Sequence, residues 1–110
     1  MEYCPDKWVM LKFVTEGQTT YKILASWAET YLGGASWKLN SGCTQIEEDG
    51  EWYLFHGYSG SVYRCHKKSY GMIGYTSGVY SRFEKQIVES EGASMKLMPE
   101  ETNFMEICYE

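Results

Sequence analysis

The segment CTQIEEDGEWYLFHG, Cys43 to Gly57, decides the fold class. Two strand-like runs, Cys43–Glu48 and Glu51–Gly57, flank Asp49-Gly50, a dipeptide that accepts the positive φ values of a type I′ turn. A two-residue closure forces antiparallel pairing, so the sheet is built from neighbours in sequence. Working outward, Trp8–Thr15 (WVMLKFVT) and Thr19–Trp27 (TTYKILASW) are apolar, β-branched runs around Glu16-Gly17-Gln18 and read as a second hairpin. Ser61–His66 adds a strand that pairs back on Glu51–Gly57 across the Gly57–Gly60 turn. Ser94–Met98 is a further short strand, and Phe104–Tyr109 alternates enough to close the sheet. Ala28–Gly42 (AETYLGGASWKLNSG) has no regular period and reads as a long loop, or as a short strand over Trp37–Leu39 with ordinary turns.

One helix is expected, from about Ser77 to Glu91. Val79, Tyr80, Phe83 and Ile87 would share an apolar face, Glu84, Lys85, Gln86 and Glu89 would face water, and Gly92 would end it. The expectation is a single α+β domain over residues 1–110: a twisted, mostly antiparallel sheet of five or six strands, partly barrel-like, with that helix packed on it. One internal similarity competes with the helix. GYSGSVY (Gly57–Tyr63) returns as GYTSGVY (Gly74–Tyr80), and a duplicated strand–turn–strand would put Val79 and Tyr80 on a strand. Two copies are too few for a repeat array.

The 110 residues, 44% apolar and 16% aromatic, are enough for a core without metal or disulfide staples. Cys4, Cys43, Cys65 and Cys108 lie far apart with no CxxC, which argues for reduced thiols and against a zinc site. The start, MEYCPDKWVM, lacks the basic and apolar regions of a signal peptide, and no apolar run reaches membrane-spanning length. A cytoplasmic setting is therefore expected. Charge is unevenly placed: Met1–Phe83 holds eight acids and eight bases, whereas Glu84–Glu110 holds seven acids and two bases and carries the whole −5.

From Trp52 to Phe83 there is no Asp or Glu. That window holds both histidines, Arg64, Lys67, Lys68 and Arg82, and six of the ten tyrosines. Aromatic faces stack on flat rings, Arg and Lys neutralise phosphate, and Gly/Ser turns offer backbone N–H groups to oxyanions. The candidate ligand site is accordingly Arg64, His66, Lys67 and Lys68 for phosphate, with Tyr58, Tyr63 and Tyr70 for stacking. The turn through Ser59, Gly60 and Ser61 would supply donors, and Trp37 would sit on a lid made by the Ala28–Gly42 loop. The competing reading is a plain basic hairpin with a lysine-protected edge.

Catalytic patterns are absent. HGYSGS lacks the G-x-S-x-G order, His56 has no nearby carboxylate in sequence to orient it, and Glu47-Glu48-Asp49 and Glu100-Glu101 read as solvated acids. No Walker loop, dinucleotide fingerprint or HExxH occurs. No cofactor is implied.

WKLNSG (Trp37–Gly42), SGSVYRCHK (Ser59–Lys67) with Tyr70-Gly71, and LMPEE (Leu97–Glu101) resemble recurring patches of small uncharacterised proteins encoded by tailed bacteriophages. The resemblance implies a context and no site residues: such proteins blunt host defence or redirect a host enzyme, by binding rather than chemistry. The expected function is a non-enzymatic counter-defence or host-modulating protein that sequesters an anionic aromatic ligand, such as a nucleotide-derived immune signal, in a pocket that two copies could share. The second expectation is a protein inhibitor that docks on a host enzyme through its acidic C-terminal segment. Single-stranded nucleic acid comes third, since the net negative charge repels a long polyanion.

Overall fold

A computed structural model describes residues 1–28 and 35–109. The protein is α+β. Its strands are β1 (Glu2–Tyr3), β2 (Lys7–Thr15), β3 (Gln18–Trp27), β4 (Ser36–Leu39), β5 (Cys43–Asp49), β6 (Trp52–Gly57), β7 (Val62–His66) and β8 (Ala93–Leu97), with one helix, α1 (Gly74–Val88). They form two four-stranded sheets, β1-β7-β6-β5 (sheet A) and β4-β3-β2-β8 (sheet B), antiparallel except for β1 beside β7. The expected single sheet of five or six strands is thus two sheets, and no barrel closes among the described residues.

The layering explains why β2 and β3 read as unbroken apolar runs. Trp8 and Met10 of β2, with Ile23 and Ala25 of β3, face Cys43, Phe55, Tyr63 and Cys65 of sheet A. Val9, Leu11 and Leu24 point the other way and pack with Tyr80 and Phe83 of α1. Sheet B is therefore the central layer, covered on both faces, and a doubly covered strand has no reason to alternate apolar with polar. Among the described residues, sheet A is covered on one face only. Its outward residues, among them Trp52, Leu54 and Arg64, follow from the β5–β6–β7 register.

Both hairpins form, with adjusted turns. Glu16 (φ 50°) and Gly17 (φ 81°) alone close β2 and β3, a two-residue turn with both φ values positive. In the second hairpin Asp49 pairs with Trp52, so the turn is Gly50-Glu51. Only Gly50 has positive φ (58°), the φ pattern of a type II′ turn rather than the expected I′.

The helix begins at Gly74, three residues before the expected Ser77, and ends at Val88. Thr76 replaces the serine as its start signal. Its hydroxyl accepts from the Ile73 N–H (3.1 Å) and from the Ser26 hydroxyl (2.8 Å), tying the first turn to β3 in a fully buried polar contact. GYTSGVY is helical here, whereas GYSGSVY is a turn and a strand, so the two are not copies of one structural unit. Phe104–Glu106 is a 3-10 turn and not a closing strand; Phe104 and Tyr109 fill the space between the sheets instead. Trp37–Leu39 lies in β4, the strand alternative for that stretch. No helix among the described residues is long and apolar enough to cross a membrane.

Candidate functional site

The acid-free window folds as β6, the Gly57–Ser61 turn, β7 and the path into α1. Register decides what its bases meet. On the outward face of sheet A, Glu47 of β5, Leu54 of β6 and Arg64 of β7 form one cross-strand row, and Asp49, Trp52 and His66 form the next. Arg64 lies over the Trp52 ring (4.7 Å to its centre) with Nη1 3.7 Å from Asp49 Oδ2. His66 meets the same indole edge-on at 4.7 Å. Its Nδ1 accepts the Lys68 N–H (3.1 Å), which leaves Nε2 as the protonated nitrogen of a neutral ring. Lys67 pairs with Glu48 and sits 5.1 Å from the centre of Tyr53, and the carboxylate pushes its ammonium pKa up. His56 Nε2 stands 3.4 Å from Glu47 Oε1 without hydrogen-bond alignment.

The window is therefore acid-free in sequence and acid-matched in space. Glu47, Glu48 and Asp49, which read as solvated turn acids, are the partners of His56, Lys67 and Arg64. Lys68 is exposed and, among the described residues, in no ion pair. The other proposed elements are also committed elsewhere. Tyr63 is buried against Tyr3 (5.1 Å between ring centres), and Tyr70 packs on Trp8 and Phe104, so neither ring is offered for stacking. In the turn, the N–H groups of Gly57, Tyr58, Ser59 and Gly60 donate to Ser61 O, Gly42 O, Ser41 Oγ and Gly57 O. Ser59 and Ser61 join Ser41 in a hydroxyl chain at 3.3 and 3.5 Å. Tyr58 is 65% exposed and borders a different hollow, with Thr19, Thr20 and Cys108.

Trp37 stands apart from this cluster, on β4. Its ring packs edge-on against Phe83 of α1 (5.5 Å) from the edge strand of sheet B, and residues 29–34 of the expected lid lie outside the described residues. Trp37 does border a cavity of about 400 Å³ between β1 and β4 that sequence reading missed. Ser36 and Lys38, which alternate with Trp37 along β4, face the sandwich side with Trp27 and Tyr3. Lys38 Nζ lies 5.1 Å from the centre of Tyr3, and Tyr3 meets Trp27 edge-on at 6.4 Å. Trp27 Nε1 donates to Cys4 O (3.1 Å), which fixes the indole plane. Glu2 and Cys4 complete the rim. Lys38 has no carboxylate within ion-pair distance among the described residues, unlike Arg64 and Lys67. No sequence signal joins these residues, because β1 comes to the site through its parallel pairing with β7 and its contacts with Trp27, all distant in sequence.

No group of three or more His, Cys, Asp or Glu among the described residues is placed to hold a metal. No protein-family model matches the chain, and no curated protein or solved structure is detectably similar to it.

Proposed function

We propose that the protein is a non-enzymatic binding protein that captures a small, flat, anionic ligand in the cavity between β1 and β4. The observation that carries this reading is a lysine that no acid pairs with among the described residues: Lys38 stands over Tyr3 and beside Trp27 in a hollow of about 400 Å³ that Glu2 also borders. That volume falls within the usual range for small-molecule sites. Tyr3 and Trp27 would hold a planar ring by stacking or edge contact, Lys38 would meet its phosphate or carboxylate, and the Ser36 hydroxyl would add a donor. The ligand class is the anionic aromatic one that the composition suggests, at a different address from the β7 hairpin. A phage accessory protein that sequesters a nucleotide-derived host signal would suit this chemistry.

Native mass spectrometry of protein purified from cells that make defence-signalling nucleotides tests the reading. A stoichiometric nucleotide-like mass is expected, lost in Lys38→Glu and in Trp27→Ala and retained when Arg64, Lys67 and Lys68 are all changed to Glu. The opposite pattern would return the site to the hairpin, and protein that carries nothing and binds no added nucleotide sinks the small-ligand reading.

A second reading rests on its own observation. Glu84, Glu89, Glu91, Glu100, Glu101 and Glu106 are all exposed and none forms an ion pair among the described residues, so the unmatched charge of the C-terminal segment, which holds only Lys85 and Lys96 as bases, is mainly acidic. Such a surface suits a basic patch on a host protein. Changing Glu84, Glu89 and Glu91 to Lys would abolish that docking and leave small-ligand capture intact.

A further inference from the structure

The outward face of sheet A is apolar at its centre, where the Arg64 guanidinium lies over the Trp52 ring, and among the described residues neither core cluster reaches it. Trp52, Leu54 and Val62 are half-buried and belong to neither core cluster. Charge on this face is sorted by strand. Glu47 and Asp49 lie on β5 at one side, Arg64 and His66 lie on β7 at the other with Glu2 of β1 beyond them, and Leu54, Trp52 and His56 lie on β6 between them. The acids of α1 are a full layer away, beyond sheet B.

We propose that this face is a docking surface for a second copy of the chain. Rotation by 180° about an axis parallel to β6, in the plane of the contact, keeps each residue at its level along the strands and exchanges the β5 side for the β7 side. The register then sets Glu47 opposite Arg64 of the partner copy and Asp49 opposite the partner copy's His66, adding cross-copy contacts to the partly exposed intrachain Arg64–Asp49 and His56–Glu47 pairs, with Trp52 on Trp52 and Leu54 on Leu54 at the centre. The face is self-complementary in charge and shape class, as a two-fold interface requires. His66 suits its position: Nδ1 is occupied by the Lys68 N–H, so Nε2–H is the donor left to meet a carboxylate. Trp and Arg at the centre of a charged rim are also the residue types that dominate interface energies. Another protein would have to match an alternation of acidic, apolar and basic strands that the chain already matches in itself. Three short strands bury less than the roughly 800 Å² per partner of a standard interface, so the dimer is a weak, concentration-dependent one.

The test uses charge swaps in pairs, read by native mass spectrometry and sedimentation velocity over a wide concentration range. The unaltered protein is expected to pass from monomer to dimer as concentration rises. Glu47→Arg alone sets Arg against Arg, and Arg64→Glu alone sets Glu against Glu, so each weakens dimerisation at least about tenfold. Mixing the two variants restores it, because the heterodimer contains both pairs with correct signs: Arg at 47 against Glu at 64, and Arg64 against Glu47. Recovery on mixing cannot come from a folding defect in either chain. Thermal melts of each variant alone establish that both are folded. A protein that stays monomeric at every concentration overturns the proposal. So does dimerisation that ignores both substitutions, or a mixture that forms no heterodimer. Loss of the small-ligand site by Lys38→Glu leaves this dimer unchanged.

Discussion

At the residue scale, Tyr70 carries the clearest lesson. In the sequence it is one of six tyrosines in a basic window and looks like a stacking ring. In the fold its hydroxyl is spliced into the β2–β8 ladder, accepting from the Met10 N–H at 3.1 Å and donating to the Met98 carbonyl. Tyr70→Phe keeps the ring against Trp8 and strands one donor and one acceptor, so a loss of about 1–3 kcal/mol is expected in urea denaturation. A change below about 0.5 kcal/mol would mean that water replaces the hydroxyl. Burial pushes the Tyr70 phenol up to about 12, above its ordinary value near 10. Because the folded value is the higher one, its contribution is intact below about pH 10 and is lost as pH rises through about 12. Tyr70→Phe should therefore flatten the stability–pH curve in that interval, in part only, since burial raises Tyr109 and Tyr63 as well. The buried thiols behave in the same way: burial lifts Cys43 to about 12 and Cys65 well above its ordinary value. Iodoacetamide at pH 8 should label Cys4 in the native protein and reach Cys43 and Cys65 only at denaturant concentrations that unfold it. Native labelling of Cys65 would contradict its place between the sheets.

At the scale of elements, the hairpins and the helix were legible because their signals are local. Asp49-Gly50 announced a turn, and the spacing of Val79, Tyr80, Phe83 and Ile87 announced a helix face. What one segment does to another was not legible. The window from Trp52 to Phe83 holds no acid, yet β5 supplies Glu47, Glu48 and Asp49 across the ladder to His56, Lys67 and Arg64. Sequence distance hid a contact that register creates, and an anion site inferred from local composition lost its free charge. Neutralising those acids should bring it back. Changing Glu47, Glu48 and Asp49 to Gln, Gln and Asn removes three negative charges, taking −5 to −2, and leaves Arg64 and Lys67 unmatched. The variant should be retained on a phosphate or heparin column that the unaltered protein passes through. Its stability should change by no more than about 1 kcal/mol, because all three pairs are partly exposed. Equal elution of the two proteins would mean that the β5 acids do not mask the β7 bases.

At the scale of the whole molecule, the three-layer order was written in the sequence in a form easily passed over. Trp8, Val9, Met10 and Leu11 are four consecutive buried residues, and Ile23 to Ser26 are four more. A strand that is apolar at every position has a layer on each face, so WVML already called for something above β2 and something below it. What the run could not name was which segments supply those layers, since β6 and β7 on one side and α1 on the other are distant in sequence. The layering makes stability uneven in a measurable way. Leu11 is fully buried, and its truncation to Ala should cost about 2–5 kcal/mol. Leu54 belongs to neither core cluster, and its truncation should cost the isolated chain under about 1 kcal/mol. Hydrogen exchange followed by mass spectrometry should then rank the strands by their place in the layers. The amides of β2 and β3, paired on both sides within sheet B and covered on both faces, should open only with global unfolding. The edge strands β4 and β8 should exchange sooner, and two-residue β1 sooner still, since local opening there exposes little apolar surface. If α1 exchanged as slowly as β2, helix and central sheet would open as one unit. If β6 outlasted β3, the cooperative core would lie in sheet A, and the doubly covered sheet would not be the centre of the fold.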